Sequence, residues 1–189
     1  MIRIGILGDI GSGKSYVAKN FGYPVFNADE EVAKLYKRDK KIFFKLKKKL
    51  PKYFVSFPIN KKNVSRAILD NKINLKKIIT IVHLEISKKL QIFLKKNKDK
   101  KFVILDIPLL LENKIDNKND ILIFVKANKF EVLKRLKKRG NFNKKLMNRF
   151  RNIQLPLVYK KSKSQYIIKN NFTKRTVFKY IKNILKKIQ

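Results

Sequence analysis

The sequence predicts an α/β fold, a parallel sheet flanked by helices, from three observations. Apolar runs of strand length recur at 2–7, 102–106 and 121–125. Between them lie segments with helical apolar spacing, as at Val32, Leu35 and Tyr36, and again at Leu133 and Leu136. The run Gly8-Asp9-Ile10-Gly11-Ser12-Gly13-Lys14-Ser15 then joins the first strand to a helix and matches G-x-x-x-x-G-K-[ST] at every fixed position. A chain of 189 residues fits one such domain, here with an inserted helical region.

The elements follow in order. Ile2-Arg3-Ile4-Gly5-Ile6-Leu7 reads as a buried strand and Ser15 to Phe21 as a helix start. Pro24-Val25-Phe26-Asn27 is a short second strand, and Ala28-Asp29-Glu30-Glu31 puts acidic groups where a helix N-terminus favours them. From about residue 40 to about residue 100 the pattern is helical and heavily charged, with Ile78, Ile81 and Val82 as an apolar stripe. Pro51 and Pro58 interrupt it, and the only strand expected there lies around Tyr53 to Phe57. Phe102 to Asp106 is apolar until its terminal carboxylate, as a central strand buried on both faces should be, and belongs beside the first strand. Ile121 to Val125 is the fourth strand and Phe130 to Arg139 the next helix. Residues 137–144 are basic, polar and interrupted by Gly140, which predicts a mobile loop. A helix from about Lys145 to Lys161, a fifth strand over Tyr166 to Lys169 and an amphipathic helix bearing Val177, Ile181, Ile184, Leu185 and Ile188 close the domain.

The glycine-rich run is a phosphate-binding loop, and its strand-loop-helix setting is that of the P-loop NTPase fold. Glycines let successive backbone N–H groups curl round an anion, Lys14 can reach the β- and γ-phosphates, and Ser15 can offer its hydroxyl to Mg²⁺. ATP and Mg²⁺ are the expected cofactors, with contacts from Gly8, Gly11, Ser12, Gly13, Lys14, Ser15 and the adjoining Tyr16. Asp29 follows the second strand and Asp106 ends the third, so both should face the nucleotide at the carboxyl ends of the strands. One of the two can orient Mg²⁺ through water and the other accept a proton from an attacking hydroxyl. Asp29 can also serve simply as a helix cap.

The composition narrows the class. With no cysteine there is neither a disulfide framework nor a thiolate metal site, which is compatible with a reducing cytoplasm. No signal peptide is expected, because the chain opens on the strand of the nucleotide motif, and no apolar stretch reaches the roughly 18 residues a membrane helix needs. The expectation is a soluble, cytoplasmic protein without a membrane partner, a monomer for preference. The formal charge of +36 invites a polyanion partner, but the lysines run from Lys34 to Lys187 rather than forming a tail or one helix face. Asn, Ile and Phe are abundant alongside Lys and share its A/T-rich codons, so the charge reads as a solvated basic surface with no specific nucleic-acid partner.

These residues resemble one family, dephospho-CoA kinase. Ile6 to Ser15 is similar to its G-G-I-G-S-G-K-S loop with Asp9 replacing a glycine, and Asn27-Ala28-Asp29 looks like its D-A-D. His83 looks like the histidine of its H-P signature. Asp106-Ile107-Pro108-Leu109-Leu110-Leu111-Glu112-Asn113 resembles its P-L-L-x-E segment, and Gln154 with Ile168-Lys169-Asn170 resembles its late Q and I-x-N positions. The departures are Asn27 for the first Asp, Leu84 for proline, Phe172 for glycine, and Ser164-Gln165 where the family has A-D.

The resemblance implies phosphorylation of the ribose 3′-hydroxyl of dephospho-CoA, a small-molecule acceptor, within a single domain. That domain carries a substrate-binding insertion at about 40–100 and a lid at about 137–150. It implies Asp29 as general base, Lys14 on the β,γ-oxygens, and Arg139 and Arg149 as lid clamps, with Arg151 an equal candidate for the latter. It places Asn170 near the nucleotide, Asp106 with Ser15 at the metal, and Asp29, Arg66, His83, Pro108, Leu109 and Glu112 along the acceptor cleft. For Arg66 an exposed surface charge, and for His83 a packing role, are the alternatives from the residues themselves. Another P-loop kinase, of nucleoside monophosphate or shikimate type, and a nucleic-acid-binding ATPase remain as rival functions.

Overall fold

The computed structural model describes residues 1–138, 140 and 142–188. Its elements run β1 (Ile2–Gly8), α1 (Lys14–Lys19), β2 (Val25–Asn27), α2 (Ala28–Arg38), α3 (Lys40–Lys49), α4 (Lys61–Asp70), α5 (Lys72–Lys96), β3 (Phe102–Asp106), β4 (Ile121–Ala127), α6 (Lys129–Lys137), α7 (Lys144–Arg151), α8 (Leu157–Ser162), β5 (Tyr166–Asn170) and α9 (Lys174–Ile188). They divide into two compact units.

The first unit comprises Met1–Asn27, Asn97–Phe142 and Gln154–Gln189. Its five strands pair in parallel in the order β2-β3-β1-β4-β5, so the third strand does lie beside the first. Parallel pairs need crossovers, and helices placed on the sheet bury the strands on both faces, which is why β3 is apolar from Phe102 to Leu105 instead of alternating. Ile4, Ile6, Phe102, Ile104, Ile123 and Ile168 are fully buried, and Val17, Ala18 and Phe21 pack against them at the start of the chain. Helix α9 seals the same core with Val177, Ile181 and Ile184, and turns its lysines outward.

The second unit comprises Ala28–Lys96 and Asn143–Ile153 and is helical throughout its described elements. Around α5 pack α2, α3 and α4, and α7 lies on α4. Leu35, Ile42, Leu46, Ala67, Ile68 and Val82 form its interior. Asparagine and aspartate start these helices: the side chains of Asp39, Asn60 and Asn143 accept from the backbone N–H of Ile42, Lys62 and Leu146.

Two expectations are corrected. Residues 53–57 form turns and bends instead of a strand. Tyr53 and Phe54 are buried while Val55 is exposed, but the surrounding unit offers no sheet edge for them to pair with. The single helix expected over 145–161 is two, α7 and α8, separated at 152–156. Pro156 has no N–H and disfavours helical backbone at Leu155, so the chain breaks there and returns to the first unit at Gln154. Among the described residues no helix is long and apolar enough to cross a membrane.

Candidate active site

In the first unit, β1 delivers the chain into the phosphate loop at Gly8, and α1 takes it up after Gly13. Gly13 has φ 91° and a Cβ there would fall 2.3 Å from Asn170 Nδ2, so both its backbone and its neighbour require glycine. Asn170 ends β5, is 3 % exposed, and donates from Nδ2 to the Ser12 carbonyl at 2.8 Å. Its Oδ1 accepts from the Phe172 N–H at 2.8 Å, which holds Phe172 at φ 64°, the turn conformation more usual for glycine. One buried amide therefore ties the loop to the far edge of the sheet. Lys14 lies across the loop, its ammonium donating to the carbonyls of Asp9 at 2.8 Å and Gly8 at 3.2 Å. Ser12 is buried, while Ser15 and Tyr16 are exposed on α1.

The carboxyl end of β3 is also in this unit. Asn27 and Asp106 stand opposite one another across β2 and β3, and Asn27 Nδ2 donates to Asp106 Oδ2 at 2.8 Å. Asp106 is buried, so this amide fixes the orientation of its carboxylate.

Beyond Asp106, Pro108 and Leu109 enter a turn segment that ends near Ile115, where Glu112 makes contacts of its own. Glu112 Oε1 lies 2.7 Å from the Lys160 ammonium and accepts from the Leu155 N–H at 2.9 Å. Lys160 is 1 % exposed and also donates to Gln154 Oε1 at 3.2 Å. Ser164-Gln165 has a structural task too. Gln165 Oε1 accepts from the Leu122 N–H at 2.7 Å and its own N–H donates to the Leu122 carbonyl at 3.0 Å, which starts the β4–β5 ladder.

In the second unit, Asp29 is exposed in the first turn of α2, within the helix and not ahead of it. Two positions on, burial pushes the Glu31 carboxyl up, but Lys34 at 2.5 Å and Lys89 at 3.5 Å outweigh that and hold it below the usual range. His83 is half-buried on α5 and its Nε2 has no hydrogen-bond partner among the described residues. Arg66 is exposed on α4, close enough to Asp70 to help hold that carboxyl low, after the larger contributions of Tyr53 and Lys52. Arg149 is half-buried and lines an open cleft between α4 and α7 with Leu69, Lys145, Asn148 and Asn152. Arg151 is exposed at the end of α7. Arg139 lies outside the described residues.

Reading the sequence missed Lys160. On a chain with 49 lysines and arginines, nothing marks the buried one. The amide of Asn27 and the side chain of Gln165 were visible only as departures from a pattern, not as partners of Asp106 and Leu122. Among the described residues no three His, Cys, Asp or Glu side chains gather as a metal site.

Comparison with known proteins fits this geometry. The family model for dephospho-CoA kinase matches residues 2–175. A curated relative, the dephospho-CoA kinase of Wolbachia pipientis, is 36 % identical over 187 residues, covering 96 % of this chain and 95 % of its own. A solved structure from Thermus thermophilus, 26 % identical, superposes with a TM-score of 0.79 over 100 % of this chain and 98 % of its own. The dephospho-CoA kinase from Campylobacter jejuni, 20 % identical, shares the fold with a TM-score of 0.63 over 99 % of this chain and 97 % of its own. The chain belongs to the dephospho-CoA kinase family.

Proposed function

We propose that the chain transfers the γ-phosphoryl group of ATP to the ribose 3′-hydroxyl of dephospho-CoA, giving CoA and ADP. The observation that carries this reading is the phosphate loop, with its lysine and its Asn170 tie, in a chain that matches the family over residues 2–175.

Phosphoryl transfer asks a protein for position and charge more than for covalent chemistry. The amides from Gly8 to Ser15, held by the Asn170 tie, receive the phosphate chain, and Lys14 exchanges its carbonyl acceptors for the β,γ-oxygens. Asp29 accepts the proton of the 3′-hydroxyl as that oxygen forms its bond to the γ-phosphorus and the bond to the β,γ-bridging oxygen breaks, with ADP leaving. Arg139 and Arg149, with Arg151 the alternative to the latter, neutralise the charge on the transferring group. Arg66, His83, Pro108, Leu109 and Glu112 shape the acceptor cleft, and Tyr16 borders the nucleotide.

The donors present suit Mg²⁺, since Ser15 and Asp106 supply only oxygen. A hard cation that keeps waters and substrate phosphates in its shell needs no dedicated cluster of protein ligands. When bound, Mg²⁺ offsets charge on the β- and γ-phosphates.

The direct test of the assigned roles is Asp29→Asn. ATP binding measured by calorimetry should match the parent, while turnover falls by about 10²–10⁴-fold, the usual cost of losing a catalytic base. Turnover near the parent rate would reduce Asp29 to a helix-terminal charge.

A further inference from the structure

We propose that the buried pair Glu112–Lys160 anchors the point where the chain returns from α7, and that both are positioning residues for phosphoryl transfer. The claim of a positioning role rests on the reading of α7 as a carrier of catalytic arginine.

The chain leaves the first unit after Phe142, forms α7 within the second, and returns at Gln154. Helix α7 lies on α4 with Leu146, Met147 and Phe150 half-buried and no side chain fully buried. The return point is the opposite case. The Leu155 N–H and the Gln154 side chain are both engaged by the pair, the first by Glu112 Oε1 at 2.9 Å and the second by Lys160 Nζ at 3.2 Å. Lys160 lies on α8, which packs on β1, and Glu112 lies in the segment that follows the end of β3. The anchor thus refers Gln154 to the two strands whose carboxyl ends carry the phosphate loop and Asp106.

Stability is a poor explanation for such a pair. Two desolvated charges seldom outperform apolar residues of equal volume, and Glu112 Oε2 is buried without a hydrogen-bond partner among the described residues, which adds a further cost. What the pair supplies is a fixed point. Arg149 lies five positions before Gln154, and five extended residue steps reach at most about 18 Å, so fixing one end bounds where the guanidinium can travel. If the return point is released, Arg149 keeps its chemistry and loses its placement.

The test compares two double variants, so that no lone charge is left buried. Glu112→Leu/Lys160→Met removes the acceptor for the Leu155 N–H and the donor to Gln154. Glu112→Gln/Lys160→Met keeps a carbonyl in place of Oε1. Hydrogen exchange should quicken by at least about tenfold at 152–155 in the first, with β1, β3 and β4 unchanged, and return only part of the way in the second, where the Leu155 N–H regains an acceptor but Gln154 still lacks its Lys160 donor. At saturating dephospho-CoA, turnover should fall in the first with KM for ATP unchanged, and recover in part in the second, which still lacks Lys160. Parent-like exchange at 152–155 in the first variant, or quickening spread evenly over the strands, would overturn the anchor. Local quickening with unchanged turnover would overturn the positioning role. If the parent chain did not phosphorylate dephospho-CoA, the functional reading would fail while the exchange comparison still decided the anchor.

Discussion

The two units hold their functional side chains in opposite ways. In the sheet-bearing unit, Asn170, Asp106 and Lys160 are buried and each is fixed by a named hydrogen bond or ion pair. In the helical unit, Asp29 and Arg66 are exposed, and charge pairs such as Lys52–Asp70 and Lys88–Glu85 lie at the surface. Buried, satisfied polar groups preorganise a site, whereas exposed ion pairs are worth little and leave side chains free to adapt. On the function proposed above, the phosphate chain would meet a cradle of preorganised groups in the sheet-bearing unit, and the exposed Arg66 would be able to adjust to the acceptor.

The largest effect should come from the cradle. Lys14→Met should lower kcat/KM by about 10²–10³-fold or more, comparable to losing a preorganised charge-stabilising donor, with little change in melting temperature. Arg66→Gln, by contrast, should raise KM for the acceptor and leave KM for ATP alone. A rise in both constants would blur the division.

Asn170→Ala should cost about 1–3 kcal/mol, read by urea unfolding, because it leaves the Ser12 carbonyl and the Phe172 N–H without their partner. It should also raise KM for ATP, since the tie that shapes the loop is gone. Gln165→Ala should cost about 1 kcal/mol through the loss of one ladder-starting acceptor, while Gln165→Glu, which keeps an Oε1 acceptor at the same reach, should restore most of it. Equal stability of the two Gln165 variants would show that the side chain does not begin the β4–β5 ladder.

The smallest effect belongs to the exposed unit. The Tyr53 hydroxyl, then Lys52, hold the Asp70 carboxyl below its usual value. A carboxyl lowered on folding contributes stability above its unfolded value, and that contribution is lost as pH falls through the folded one. Tyr53→Phe should therefore move the Asp70 titration upward in an NMR titration and shrink the acid loss, which is then complete at a higher pH.

The strands and the loop were legible because each obeys a local rule. Buried parallel strands are apolar throughout, and the spacing Gly8, Gly13, Lys14, Ser15 admits little else. The break at Pro156 was written in the sequence but lost against the lysine-rich helical pattern on either side of it. The side-chain contacts were not legible, because Asn27 finds Asp106 and Glu112 finds Lys160 across 79 and 48 residues of chain, and no local pattern encodes such pairings. Heavy lysine content hides this further: Lys160 differs from its neighbour Lys161 only in the direction it faces along α8.

The central claim, that this chain phosphorylates dephospho-CoA, is tested most directly by one coupled ADP-release assay across acceptors. With ATP and Mg²⁺ present, dephospho-CoA should drive ADP release and yield CoA, while shikimate and nucleoside monophosphates leave the rate at background. ADP release confined to one of those other acceptors would contradict the account.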